Sequence, residues 1–120
     1  MQRSQRLRQA RDFRRVREGG RSWPHSLLIL GVTPNRTQNT RCGFVVSKAL
    51  GNAVKRNRLK RRVREAVRLV YGQIKPGWDV VFVIRTGVAS ASWEQLQRAV
   101  HQLLTKANVW RVLPATPSKE

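Results

Sequence analysis

The order of apolar runs in the sequence predicts a single small domain of the α/β class. Three runs of strand length, rich in Val, Ile, Leu and Phe, are interleaved with three segments of helical periodicity. A chain of 120 residues, 40% of them hydrophobic, suits one domain with a real core and is too short for two ordinary ones. We place this domain at residues 1–113 and expect residues 114–120 to form a flexible C-terminal tail.

The first half of the chain contains the signals for one helix and two strands. Residues 9–18 are predicted to be helical, and Gly19-Gly20 end the helix because glycine tolerates the left-handed conformation common at that point. Residues 26–32 (SLLILGV) form a predicted strand, which a polar loop follows. The next strand covers residues 41–47, and the alternation of side chains puts one set on a common face: Cys42, Phe44 and Val46.

The second half predicts two more helices and a buried strand. Asn52 caps a long helix that runs to about Tyr71 and is closed by Gly72. The run WDVVFVIR, residues 78–85, is almost continuously apolar, which is typical of a strand buried on both faces. Ser92 begins the last helix, with a capping-box partner three residues later. Its core-facing stripe repeats at helical spacing: Leu96, Ala99, Val100, Leu103, Leu104 and Ala107.

The charge of the chain predicts a polyanionic partner. Lys and Arg total 25 against 6 acids, which gives a net charge of +19, and 19 of the 25 are Arg. A compact domain of that charge repels itself, and binding to nucleic acid relieves the repulsion and releases counterions from the phosphates. Arg grips phosphate through two donors and stacks on bases, so the bias towards Arg favours RNA or DNA. An anionic membrane surface and a merely solvated basic surface are the lesser alternatives.

Cysteine content and hydropathy predict a cytoplasmic protein that does not enter a membrane. Cys42 is the only cysteine, which excludes an internal disulfide framework. No stretch approaches the roughly 20 apolar residues of a membrane span. The start, MQRSQRLRQARDFRR, lacks the apolar core of a secretory signal; it is Arg-rich, as organelle transit peptides are, but Phe13 and Val16 fit the buried side of the first helix. We expect no protein oligomer.

The long helix carries the densest basic charge. Residues 55–64 read KRNRLKRRVR, seven basic residues in ten. A helical wheel places one side against the sheet: Leu59, Val63, Ala66, Val67 and Val70. The opposite side holds Asn57, Lys60, Arg61, Arg64 and Arg68, and a second basic flank holds Lys55, Arg58 and Arg62. Like charges one turn apart destabilise a helix by roughly a few tenths of a kcal/mol per pair, so we expect a bound anion here rather than a merely solvated face.

The run VSKALGNAVKRNRLKRRVREA, Val46 to Ala66, resembles the Arg-Asn-Arg signature of the bacterial ribonuclease P protein family. The similarity lies in Lys48, Gly51-Asn52-Ala53-Val54, Arg56-Asn57-Arg58, Lys60-Arg61 and Arg64-Glu65. Two flanking segments, RLRQARDFRRV and DVVFVIRTGVA, are similar to the family's first helix and to the strand after its signature helix. The resemblance thus extends in order over roughly residues 6–107.

The resemblance implies a fold and a function. The fold is a two-layer α+β sandwich with a small mixed sheet, three helices and a left-handed βαβ crossover, of the class of the second domain of a small-subunit ribosomal protein. General rules favour right-handed crossovers, so no residue pattern alone predicts this one. The function is RNA binding as the protein subunit of ribonuclease P, which removes the 5′ leader of precursor tRNA. The implied partners are the catalytic RNA subunit and precursor tRNA.

The family's RNA-binding positions are carried over onto matching residues. The resemblance implies that single-stranded leader enters a cleft between the first helix, the sheet and the signature helix. The residues assigned to that cleft are Phe13, Arg17, Asn57 and Arg61. Those assigned to contacts with leader or catalytic RNA are Lys48, Arg56, Arg58, Lys60, Arg64 and Arg68. Arg17 stands where a second aromatic is common in the family, and Ala49 stands where a second lysine is common. For Phe13, an ordinary core position is the alternative.

No catalytic centre of the chain's own is evident in the sequence. A metal-dependent nuclease needs clustered carboxylates, whereas the six acids are scattered: Asp12, Glu18, Glu65, Asp79, Glu94 and Glu120. His25 and His101 stand alone, without metal-ligand spacing. The resemblance implies that the RNA partner hydrolyses the leader with Mg²⁺ and that the protein binds no cofactor. A general basic RNA-binding or RNA-chaperone protein of ribosomal type, and a self-sufficient ribonuclease, remain the alternative functions.

Overall fold

The computed structural model describes residues 1–111 and has three α-helices and one four-stranded sheet in that range. The helices are α1 (Ala10–Gly19), α2 (Ala53–Arg68) and α3 (Trp93–Lys106). The strands are β1 (Arg21–Pro24), β2 (Leu28–Pro34), β3 (Arg41–Val46) and β4 (Trp78–Ile84). The predicted tail, residues 114–120, and the predicted domain boundary at residue 113 lie outside the described residues.

The sheet is mixed, with the strand order β1-β2-β4-β3. β1 and β2 form an antiparallel hairpin, β2 and β4 are antiparallel, and β3 and β4 are parallel. Parallel neighbours need a long crossover, and α2 supplies it, so that β3, α2 and β4 form a βαβ unit. Three helices on a small mixed sheet confirm the predicted α+β class. The left-handed sense of the crossover rests on the family resemblance.

One face of the sheet is covered by α2 and α3, which enclose the main core. The inward residues of the sheet alternate along each strand: Leu28, Leu30, Val32, Cys42, Phe44, Val80, Phe82 and Ile84. The predicted apolar side of α2 is confirmed, with Leu59, Val63, Ala66 and Val67 buried and Val70 packed against the same core. The predicted stripe of α3 is also confirmed, because all six of its residues are buried.

Among the α-helices of residues 1–111, α1, a helix of ten residues, is the one that packs on the second face of the sheet. Val16 of α1, Leu7 and Val81 form a small buried cluster there, and Phe13, Val45 and Val83 pack against it while staying partly exposed. β4 therefore has apolar residues on both faces, as its near-continuous run predicted, but the α1 side is only partly covered.

The helix ends follow the predicted caps, with two corrections. Asn52 accepts a hydrogen bond from the Lys55 amide at 2.9 Å, and the capping box of α3 makes both of its bonds. α1 ends at its glycine pair, as predicted, but the backbone of Gly20 is extended rather than left-handed. Glycine is required at this position because a Cβ would lie 2.5 Å from the carbonyl oxygens of Val16 and Val32. α2 ends at Arg68, before the predicted Tyr71, since Tyr71 starts a 3-10 turn and its hydroxyl donates to the Thr40 carbonyl.

Candidate nucleic-acid interface

A narrow cleft of about 190 Å³ separates α1 from the open face of the sheet. Its floor is apolar and comes from three strands: Ile29 and Gly31 of β2, Val45 of β3, and Val81 and Val83 of β4. Phe13, Val16 and Arg17 of α1 form one wall, and Ser22 of β1, the register partner of Gly31, also lines the cleft. The cleft combines an apolar surface with an arginine at its rim, which suits an unpaired base and its phosphate.

Phe13 is half-buried and lies close to the backbone of β3. A Cβ placed on Gly43 would come within 2.5 Å of the Phe13 ring, so the absence of a side chain at residue 43 makes room for the aromatic. The ring thus packs on the strand and also lines the cleft. The sequence left a core position and a cleft position as alternatives for Phe13, and the half-buried ring has contacts of both kinds.

An ion cluster fixes α1 to one end of the sheet. Asp79 on β4 is fully buried, and both of its carboxylate oxygens accept hydrogen bonds from Arg41, at 2.9 and 2.8 Å. Arg15 of α1 pairs with the same carboxylate, and the Asn35 amide donates to it at 2.9 Å. The hydrogen bond from Arg41 to Asp79 raises the pKa of that guanidinium. Asp79 is therefore an anchor for α1 and for the β2–β3 loop rather than a catalytic group.

The outer side of α2 is basic, as predicted, but only some of its arginines already contact another side chain. Lys60 and Arg64 are half-buried, and the Arg64 guanidinium lies over the Phe44 ring, 5.9 Å from its centroid. Arg68 forms a bidentate pair with Glu65, at 2.9 and 2.6 Å, which lowers the pKa of that carboxyl. Arg58 and Arg61 make no hydrogen bond or ion pair within residues 1–111, and their guanidinium donors are free for phosphate.

Arg62 has a structural task that the sequence did not reveal. Its guanidinium donates to the backbone carbonyls of Val88 and Ala91, in the turn that leads into α3. This contact ties the middle of α2 to the start of α3. Arg62 therefore stabilises the fold, whereas the sequence placed it on a basic flank that is free to bind an anion.

The potentially reactive side chains are isolated. Within the described part of the chain, no three His, Cys, Asp or Glu residues are close enough to hold a metal ion. Burial raises the pKa of the Cys42 thiol to about 12, and the negative charge of Asp79 adds to the rise, so the thiol stays protonated at neutral pH. His25 accepts a hydrogen bond from the Leu27 amide, and His101 packs edge-on against Trp110. No helix among residues 1–111 is long and apolar enough to cross a membrane.

Comparison with known proteins identifies the family of this fold and surface. The family model of ribonuclease P matches residues 1–108. The ribonuclease P protein component of Herpetosiphon aurantiacus is 64% identical over 110 residues, 92% of this chain and 89% of the relative. That of Roseiflexus castenholzii is 49% identical over 122 residues and covers 100% of both chains. The chain belongs to the ribonuclease P protein family.

Solved ribonuclease P proteins share the fold. The Staphylococcus aureus protein superposes with a TM-score of 0.79 at 29% identity, over 89% of this chain and 98% of the other. The Thermotoga maritima protein gives 0.76 at 30% identity, over 84% and 96%. The predicted membership is confirmed. It implies a place in an endoribonuclease complex of tRNA processing, with RNA as the partner.

The structure divides the residues that the ribonuclease P resemblance assigned to one cleft. Phe13 and Arg17 line the cleft beneath α1. Asn57 and Arg61 are exposed on α2, which packs on the opposite face of the sheet, and they are not among the residues that line the cleft. The other signature residues lie on or just before α2: Lys48 in the 3-10 turn Lys48–Leu50, and Arg56, Arg58, Lys60, Arg64 and Arg68 along the helix. Their RNA contacts stay predictions.

Sequence reasoning missed the floor of the cleft and its anchor. Val81 and Val83 lie in a run that predicts apolar residues on both faces of the sheet. Two of the three predicted helices cover one face, so only the short first helix can cover the second face. That imbalance was the available signal for an exposed apolar floor. The pairing of Arg15 with Asp79 joins residues 64 positions apart, and nothing in either neighbourhood signals it.

Proposed function

We propose that this chain binds the 5′ leader of precursor tRNA in the cleft beneath α1 and the catalytic RNA of ribonuclease P through α2. The cleft carries the proposal, because it joins an aromatic ring, an apolar floor and an arginine rim in a space too narrow for a duplex. Stacking on aromatic rings is tolerant of sequence, as recognition of varied leaders requires. Phe13 and Arg17 are the residues that meet the leader.

The basic side of α2 supports a second RNA contact. Arg58 and Arg61 have no protein partner among the described residues, and the one acid of the helix, Glu65, is held by Arg68. Free guanidinium groups along a rigid helix suit phosphates, which they bind through two parallel hydrogen bonds. The two surfaces lie on opposite faces of the sheet, so the protein can contact two RNA strands at once.

The proposal assigns hydrolysis to the catalytic RNA and its Mg²⁺ ions, and it assigns strand positioning to the protein. Catalytic RNA and precursor tRNA are both polyanions and repel each other. A protein of charge +19 between them lowers that repulsion, which Mg²⁺ must otherwise screen. The protein should therefore matter most when Mg²⁺ is scarce.

Reconstitution tests the proposal and separates it from its alternatives. The full chain is added to a bacterial-type catalytic RNA, and 5′ processing of precursor tRNA is measured at low and at high Mg²⁺. We expect strong stimulation at low Mg²⁺ and no cleavage by the protein alone. Cleavage without the catalytic RNA would indicate a self-sufficient ribonuclease. Equal binding to unrelated structured RNAs, with no stimulation, would indicate a general RNA-binding or chaperone protein.

A further inference from the structure

Trp93, the first residue of α3, is partly exposed to solvent. Its side chain keeps 37% of its surface accessible, more than that of any other tryptophan among residues 1–111. The two arginine–aromatic contacts in the described chain involve Trp23 and Phe44, so no guanidinium covers the Trp93 ring. The exposed part of the indole is apolar surface that a flat partner can cover.

Trp93 borders a depression of about 530 Å³ on the α2 side of the molecule. Met1 and Glu65 line the same depression, together with five arginines of α2: Arg58, Arg61, Arg62, Arg64 and Arg68. An exposed ring beside a row of arginines is the combination with which proteins bind single-stranded RNA, because the ring stacks on a base and the arginines hold its phosphates. The partner with complementary chemistry is thus an unpaired nucleotide.

The neighbouring contacts determine what each side chain of the depression can do. Arg62 is held by the carbonyls of Val88 and Ala91, five and two residues before the tryptophan, and these bonds hold the start of α3 beside α2. Arg68 neutralises Glu65, the one acid that lines the depression. Arg64 is half-buried and its guanidinium lies over the Phe44 ring, so Arg58 and Arg61 remain to bind phosphate.

We propose that Trp93 is a stacking platform for an unpaired base of the catalytic RNA, with Arg58 and Arg61 on the flanking phosphates. This inference rests on the proposed function and adds a residue outside the signature helix. The catalytic RNA is the occupant because the leader cleft lies on the opposite face of the sheet, beneath α1. A leader seated beside Phe13 leaves the Trp93 side to the other RNA.

The test compares two substitutions at Trp93 in the full chain, with a transcribed bacterial-type catalytic RNA and filter binding at one salt concentration. Trp93→Leu keeps an apolar side chain but removes the aromatic face, whereas Trp93→Phe keeps a face. We expect Trp93→Leu to weaken binding about 5- to 150-fold, the range that corresponds to stacking one base. Trp93→Phe should retain most of the affinity. Leu69→Ala, at an apolar position that is 52% exposed at the end of α2, should bind like the wild type.

Two further measurements separate the outcomes. Leader-bearing precursor tRNA, without catalytic RNA, should bind all variants equally, and all variants should melt within a few degrees of the wild type. Unchanged affinity of Trp93→Leu for the catalytic RNA overturns the inference and leaves the proposed function standing. A loss confined to precursor tRNA, or a parallel loss towards both RNAs with a lower Tm, also overturns it. Failure of the wild-type chain to bind the catalytic RNA instead contradicts the proposed function.

Discussion

The two faces of the sheet differ in how completely helices cover them. On the α2–α3 face, Val63, Val80 and Phe82 have no accessible surface, and the core is closed. On the α1 face, the buried hydrophobic cluster among residues 1–111 is small and consists of Leu7, Val16 and Val81, and the cleft stays open beside it. One face therefore supplies the stability that lets the other remain uncovered. Substitutions on the closed face should change stability first, and those on the open face should change RNA binding first.

The largest expected effect is at the centre of the closed face. Val63→Asp places a carboxylate where no partner and no water reach it, at a cost of about 3–5 kcal/mol or more, a large part of the stability of a small domain. We expect no cooperative thermal transition by circular dichroism. Arg61→Ala, two positions earlier on the exposed side of α2, should melt like the wild type. If Arg61→Ala unfolded the protein as Val63→Asp does, the assignment of helix faces would be wrong.

The ion cluster that anchors α1 should give the next largest effect. Asp79→Asn removes the carboxylate that holds Arg15 and Arg41 and leaves Arg41 only Asp12, 3.8 Å away. Because the two arginine side chains are 41% and 26% exposed, water can partly replace the lost carboxylate. We therefore expect a loss of about 2 kcal/mol in the free energy of unfolding, below the loss for a fully buried pair. Leader affinity should fall with it, since α1 forms one wall of the cleft.

Glu65→Gln is the matched control for Asp79→Asn, because it breaks an exposed carboxylate–arginine pair on α2. Urea denaturation should show no measurable change for it. Equal denaturation midpoints for the two variants would show that Asp79 does not hold α1 in place.

The closed face was largely predictable from the sequence. Helical periodicity placed Leu59, Val63 and the α3 stripe correctly, because one amphipathic helix needs only local information to show its buried side. β1 was missed since RSWP has no alternation and contains proline, which an edge strand tolerates. Its strand character comes from pairing with β2, and a local pattern does not encode that pairing.

The open face was less predictable because its features join distant parts of the chain. Arg15, Arg41 and Asp79 come from three elements, and only the folded chain shows that two of the 19 arginines are held by one carboxylate. The same limit applies to Arg62, whose partners are backbone carbonyls in another turn. The family resemblance supplied Phe13 as a cleft residue, but not the helix arrangement that puts Asn57 and Arg61 on the other side.

Two aromatics on opposite faces give a matched comparison of intermediate size. Phe13 is half-buried in the cleft, whereas Phe44 is 8% exposed and stacks on Phe82 in the closed core. Phe13→Ala should weaken binding of leader-bearing precursor tRNA by about 1–3 kcal/mol, the value of one stacked base. Its cost in stability should stay below the ~3–5 kcal/mol of a fully buried Phe. Binding of leaderless tRNA should not change.

Phe44→Leu is expected to show the opposite pattern from Phe13→Leu. It should lower the Tm and leave the ratio of leader-bearing to leaderless affinity unchanged. Phe13→Leu should lower that ratio and keep the Tm near that of the wild type. A large fall in Tm with an unchanged ratio for Phe13→Leu would return Phe13 to the core and remove it from the site.

The smallest expected effect is a change in the salt dependence of RNA affinity. It compares Arg61, which has no protein partner in the described chain, with Arg62, which is bound to backbone carbonyls. Affinity for RNA should fall steeply with salt, and each phosphate contact contributes about 0.7–0.9 to the slope of log affinity against log salt. Arg61 has no protein partner in the described chain, so Arg61→Ala should lower that slope by about one contact's share, ~0.7. Arg62 donates to the carbonyls of Val88 and Ala91. Arg62→Ala should therefore keep the slope and lose about 1–3 kcal/mol of stability.

Measuring the slope separately with catalytic RNA and with leader-bearing precursor tRNA identifies the strand that Arg61 contacts. Its position on α2, away from the cleft, predicts a change with the catalytic RNA alone. A change with precursor tRNA alone would mean that the leader passes from the cleft to the other side of the sheet, as the family resemblance implied. An unchanged slope with both RNAs would show that Arg61 is a solvated charge. Arg61 would then be removed from the proposed contact with the catalytic RNA, and Arg58 would be the next arginine of α2 to test.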